Sequence, residues 1–106
     1  MAKFMLKASY TVEGTKGLMK EGGSSRRAAV QKTLEGLGGR LESFYYTMGD
    51  ADAFAIVDVP DVVAAAALSL AINATGAAHV STAVLLTPEQ IDEAAKKSVS
   101  YRAPGA

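Results

Sequence analysis

The chain has 106 residues, with 11 basic against 11 acidic side chains, no cysteine and one histidine. That length suits one small domain, and the balanced charge gives no electrostatic footprint for nucleic acid, since Arg26-Arg27 and Lys96-Lys97 are isolated pairs rather than a stripe. The absence of cysteine removes disulfides, thiolate catalysis and cysteine metal ligands together. A lone histidine makes a protein-only zinc site improbable, so no metal and no cofactor is expected.

A domain of this size buries a modest share of its surface and is marginally stable unless something helps. With disulfides and metals set aside, the remaining help is a partner chain, and a composition that is 49% hydrophobic favours one. No long apolar run or cleavage site opens the sequence, so no secretory signal is read. The alanine-rich stretch from Val62 is interrupted by Ser69 and Asn73 and is too short and too weakly apolar to span a bilayer. Asn73-Ala74-Thr75 fits the glycosylation pattern formally, inside a helical pattern where chance explains it. A soluble cytoplasmic protein is the expectation.

In chain order, Lys3 to Tyr10 alternates Phe4, Leu6, Ala8 and Tyr10 against Lys3, Met5, Lys7 and Ser9, which predicts a strand with one committed apolar face. Thr11 to Gly23 is punctuated by glycine and reads as a loop holding a short helical turn. Ser24 or Ser25 is the expected cap of a helix to about Leu37, with Val30, Leu34 and Leu37 as its buried stripe. Gly38-Gly39 ends it. Arg40 to Asp61 carries the strongest fold signal: two strand-like runs around Met48-Gly49-Asp50-Ala51-Asp52. Leu41, Ser43 and Tyr45 are expected on one face and Phe44, Tyr46 and Met48 on the other. In the second run Ala53, Ala55 and Val57 oppose Phe54 and Ile56. Both faces read as apolar or aromatic, whereas a free antiparallel sheet normally shows a polar outer face.

Pro60-Asp61 opens a second helix, with Asp61 as N-cap and Gly76 as its end. Leu68 and Ile72 are its larger anchors, and Ala64 to Ala67 allow close approach. Ala77 to Leu86 is the last strand. Thr87-Pro88-Glu89-Gln90 is a capping box that starts a C-terminal helix through about Lys97. The predicted architecture is α+β: a ferredoxin-like βαββαβ unit, a four-stranded antiparallel sheet with both helices on one face, plus the added helix. The single domain spans residues 1–106, with 3–99 as core and 100–106 as tail. A bare aromatic-bearing sheet face marks an interface. It predicts a homodimer or higher homo-oligomer built by packing that open face, of the dimeric α+β-barrel type.

The residues Tyr10-Thr11-x-Glu13-Gly14-x-x-Gly17, Gly23 to Arg27, Leu37-Gly38-Gly39, Phe44-Tyr45-Tyr46, Gly49-Asp50-x-Asp52 and Pro60-Asp61 together resemble the GYD-domain family. The likeness continues through Ala65 to Leu70, Gly76 and Leu85-Leu86-Thr87, and covers Lys3 to Pro104. It implies a small bacterial protein similar in fold to the dimeric α+β-barrel proteins, and it implies no particular reaction. The sequence departs from the family at Ala51, where the naming motif has tyrosine. Gly49 and Asp52 still match.

Several side chains are candidates for chemistry. His79 is a candidate base, because histidine is the side chain whose unperturbed charge change falls near neutrality, against the ordinary reading of a strand-end residue. Asp52, with Asp50, suits proton transfer or a cation, against the turn-forming habit of aspartate. Tyr10 and Tyr45 are candidates to hydrogen-bond or stack on a ligand, against plain packing. Arg27, beside Gly22-Gly23-Ser24-Ser25 at a helix start, could hold an anion, against a serine cap with the arginine stem covering apolar surface. No nucleophile motif is present. The leading reading is an oligomeric module that binds or senses a small anionic or aromatic molecule, with Arg27, Tyr10 and Tyr45 as ligand contacts. The alternative is a cofactor-independent enzyme of the dimeric α+β-barrel type, an oxygenase or isomerase, using His79, Asp52 and Tyr10. A pure oligomerisation scaffold is the further alternative. No nucleic acid or membrane partner is expected.

Overall fold

A computed structural model describes every residue from Met1 to Ala106. Strand β1 runs Ala2–Tyr10, and its alternation holds as read: Phe4 and Leu6 are buried while Lys7 is exposed. The segment expected to be a loop is a helix, α1, Val12–Glu21. The Thr11 hydroxyl caps it by accepting from the Gly14 amide at 3.2 Å, and Glu13 and Lys20 stand at the ends that suit the helix dipole. The sequence reading took glycine as punctuation; the contacts give Gly14 a different role. A Cβ there would lie 1.9 Å from the Ala77 carbonyl oxygen, so glycine lets α1 dock against the turn before the last strand. Two bonds fasten that docking: the Thr11 amide donates to Ala77 O at 3.0 Å and its hydroxyl to Gly76 O at 2.9 Å.

Gly22, at φ +93°, turns α1 directly into helix α2, Gly23–Gly36. Neither serine caps α2, contrary to expectation; Gly22 takes the cap position, and the Ser25 hydroxyl donates to Glu21 instead. With the two helices joined through one residue, no extended serine is left to serve as cap. Leu34 is fully buried, and Val30 and Leu37 pack beside it on the core. Gly38, at φ +76°, then ends the helix as expected, and the Gly39 amide returns to Leu34 O at 2.8 Å.

Strands β2, Arg40–Tyr46, and β3, Ala53–Val59, form the central hairpin. A bulge interrupts it: the register steps from Leu41 opposite Val57 to Ser43 opposite Ile56, leaving Glu42 unpaired. Leu41 therefore joins Phe44 on the core side, rather than Ser43 and Tyr45 as strict alternation reads. Helix α3, Val62–Ala74, starts at Asp61, whose carboxylate accepts from the Ala64 amide at 2.9 Å. Strand β4, Ala78–Leu85, completes a sheet in the order β2-β3-β1-β4, antiparallel throughout. This is the ferredoxin-like α+β arrangement. Leu34 of α2 and Leu68 of α3 meet Phe4, Leu6, Val57, Val59 and Val80 in one core on one sheet face. On the outer side of β4, Asn73 of α3 accepts from the Val80 amide at 2.7 Å.

No helix covers the opposite sheet face. Met5, Tyr45, Phe54 and Ile56 lie on it, but so does a charged cluster that the sequence reading missed. Lys3 Nζ sits 2.6 Å from Glu42 and 3.1 Å from Asp58, and Arg40 Nε sits 3.2 Å from Asp58. The register brings these together, since Asp58 is opposite both Lys3 and Arg40. Asp58 is buried within the cluster, 7% exposed.

Helix α4, Pro88–Ala95, keeps its predicted capping box between Thr87 and Gln90, yet buries no residue. The radius of gyration is 16.8 Å and the longest dimension 55 Å, against about 13 Å for the radius of a compact chain of this length. The excess belongs to the segment from Leu86 onward. It stands away from the body with Leu86, Ile91, Val99 and Tyr101 all more than half exposed. No helix is long and apolar enough to cross a membrane.

Candidate functional site

Small side chains face one another where α2 and α3 lie over the sheet. Ala8, Ala53, Ala55 and Ala78 come from the strands and Ala29 from α2. Alanine leaves space where larger residues would interdigitate, and a cavity of about 170 Å³ results. Leu6, Val30, Phe44, Leu68, Ile72 and Val80 complete its apolar wall, while Tyr10, Arg26 and Thr33 supply the polar atoms. Arg26 lines the cavity yet keeps 40% of its side chain exposed, which sets the mouth at the start of α2. Its only charged partner is Glu21, 3.7 Å away.

Two phenols gather near Arg26. Tyr46 follows Phe44 on the core side of β2; their rings meet edge-on with centroids 5.2 Å apart. Its hydroxyl donates to the Gly23 carbonyl at 3.1 Å, tying the hairpin to the first residue of α2. Burial pushes the Tyr10 phenol above its ordinary value, and the neighbouring Tyr46 adds to the rise while Arg26 opposes it. Burial raises Tyr46 likewise, opposed by Tyr10 and Arg26. Both hydroxyls are therefore neutral donors across the physiological range.

The residues predicted from sequence divide among separate places. Tyr10 lines the cavity. Arg27 and Tyr45 lie instead along a surface cleft with Gly23, Ser24 and Tyr46, and Tyr45 is 72% exposed. Arg26, one position earlier on the helix, is the arginine that reaches the cavity. The sequence held a signal for it: Arg26, Ala29, Val30 and Thr33 share one helical face at i, i+3, i+4 and i+7. The Asp52 carboxylate accepts from the Tyr10 amide at 2.8 Å, and the Asp52 amide donates to Ala8 O at 2.8 Å. Asp52 thus stitches the hairpin loop to the end of β1. Asp50 is exposed, and Ala51, 2% exposed, is packed away between them. His79 pairs with Ser9 and so projects from the uncovered sheet face, opposite to Tyr10. Within one chain His79, Asp52 and Tyr10 do not converge on one cavity. No group of three histidine, aspartate or glutamate side chains lies close enough to hold a metal.

These features define a ferredoxin-like α+β domain with a small apolar cavity between its sheet and two helices. A sequence model of the GYD domain matches residues 4–95, and the chain belongs to that family. Comparisons with curated proteins and with solved structures find no match.

Proposed function

We propose that this protein is an oligomeric small-molecule binding or sensing module, and that the cavity under α2 and α3 is its binding site. One observation carries the reading: an apolar space between sheet and helices with a few polar groups gathered at its mouth. Tyr10 belongs to this site, and Arg26 takes the role that the sequence suggested for Arg27. The cofactor-independent enzyme has less support, because its candidate base His79 stands on the other face of the sheet. A screen of small organic molecules by thermal shift tests the reading. Binders should raise the melting temperature of the wild type and fail to raise that of Ala29→Leu, which fills the cavity from α2. A hit that stabilises both equally would refute the site.

The partner in this reading is a second copy. The uncovered face with Met5, Tyr45, Phe54 and Ile56, and a C-terminal helix that buries no residue of its own, both support it. Sedimentation velocity at micromolar concentration should give a homodimer or larger homo-oligomer; a monomer would overturn this part. A cytoplasmic location fits a chain without cysteine.

A further inference from the structure

We infer that the cavity takes a compact organic acid, an apolar body about the size of one six-membered ring with a single carboxylate held by Arg26 at the mouth. The inference rests on the cavity being a binding site. Size sets the body: a space of about 170 Å³ is close to one known to admit benzene in another protein, roughly 150 Å³. It excludes bicyclic or long-chain ligands unless they extend through the mouth. The wall sets the polarity. Beyond the mouth, the surfaces offered by Leu6, Ala55, Leu68 and Val80 carry no side-chain hydrogen-bonding group, so the inner part of the ligand must be apolar.

The mouth sets the charge. The Thr33 hydroxyl already donates to Ala29 O at 3.0 Å. The donor left is the Arg26 guanidinium; the Tyr10 phenol beside it, kept protonated by burial, already hydrogen-bonds to the Tyr46 hydroxyl. No acidic residue lines the cavity, so nothing there compensates a cationic ligand. Guanidinium matches carboxylate geometry with two parallel donors. Glu21 sits 3.7 Å from Arg26 and competes for it, which favours a monoanion over a more highly charged phosphate group that Glu21 would repel.

Titration calorimetry with benzoate, and with toluene as its uncharged counterpart, tests this on the full chain. Wild-type protein should bind benzoate, and Arg26→Gln should weaken it roughly 10–100-fold, the loss expected of a charge-assisted bond, while leaving toluene binding within about twofold. Glu21→Gln should tighten benzoate by freeing Arg26. If toluene binds and is blocked by Ala29→Leu, but benzoate binds no better and ignores Arg26→Gln, the organic-acid class is overturned and the binding site stands. If neither probe binds to folded wild-type protein, as judged by circular dichroism, the binding site falls with it.

Discussion

Gly14 and Gly17 lie one turn apart in α1, and the same substitution should have opposite effects at the two positions. Replacing an interior helical glycine by alanine ordinarily stabilises by about 0.8–1 kcal/mol, because glycine loses more backbone freedom on folding. At Gly17 a Cβ would meet nothing within 4 Å, so Gly17→Ala should realise that gain. At Gly14 the new Cβ would lie 1.9 Å from the Ala77 carbonyl oxygen and 3.1 Å from the Tyr10 ring. The obstacle is backbone, which cannot swing aside, so α1 must retreat by about 1.5 Å or more to reach ordinary contact. The bonds from Thr11 to Ala77 O at 3.0 Å and to Gly76 O at 2.9 Å then break or lengthen. Each contributes about 0.5–1.5 kcal/mol, and overpacking adds about 1–3 kcal/mol. Set against the helix gain, the net loss for Gly14→Ala is about 1–5 kcal/mol. For a domain of this length about 1 kcal/mol corresponds to roughly 4–5 °C. Thermal unfolding by circular dichroism should therefore show Gly17→Ala melting about 4 °C above the wild type and Gly14→Ala at least about 5 °C below it. If both variants rise together, the close docking of α1 on the turn before β4 is refuted.

Three further outcomes follow from the packing and the ion pairs. Leu34→Ala, at a side chain with 0% exposure in the middle of the core, should cost about 2–5 kcal/mol in urea unfolding; a loss under about 1 kcal/mol would contradict the burial. Asp52→Ala should cost about 1.5–3 kcal/mol by leaving the Tyr10 amide without its carboxylate, and Asp52→Asn should recover part of that through its amide oxygen. Alkaline pH should destabilise the fold. Tyr10 and Tyr46 are raised above 10.0 chiefly by burial, and Lys3 above 10.5 chiefly by its hydrogen bond to Glu42. In each case the folded state keeps its proton longer than the unfolded chain, so stability falls as pH climbs past the unfolded values. Tyrosinate absorbance should show two of the four tyrosines titrating late, and Tyr10→Phe should remove one of them.

The parts of the fold legible in the sequence were those governed by local chemistry. The alternation of β1 and β3, the Asp61 cap, the Gly38 turn and the Thr87–Gln90 capping box all depend on neighbours within a few positions. What escaped depends on residues far along the chain. Gly14 looks like a helix breaker until Ala77 is beside it. Leu41 changes face because one residue bulges from the hairpin, and period-2 reading carries no mark of that insertion. Ser24 and Ser25 look like caps until α1 is seen to run straight into α2. At the site, Tyr10 was legible from its strand face. Arg26 was passed over for Arg27 because both lie within one turn of Val30, and only the approach of α2 to the sheet decides which of them borders the cavity. The charged cluster around Asp58 comes from pairing Lys3 with Asp58 across β1 and β3, a contact that spacing alone does not reveal.

Asn73 has a consequence for how copies of this chain can join. Its carboxamide accepts from the Val80 amide at 2.7 Å, and its Nδ2 lies 3.5 Å from the Val80 carbonyl oxygen. To β4 it offers much what another strand would offer. An incoming chain seeking to lengthen the sheet at this edge must first expel that amide. At the opposite edge, the Glu42 bulge breaks the even spacing that β2 would need to template a neighbour. Both rims of the sheet are thus poor starting points for ribbon-like aggregation, which a flat, unguarded edge would invite.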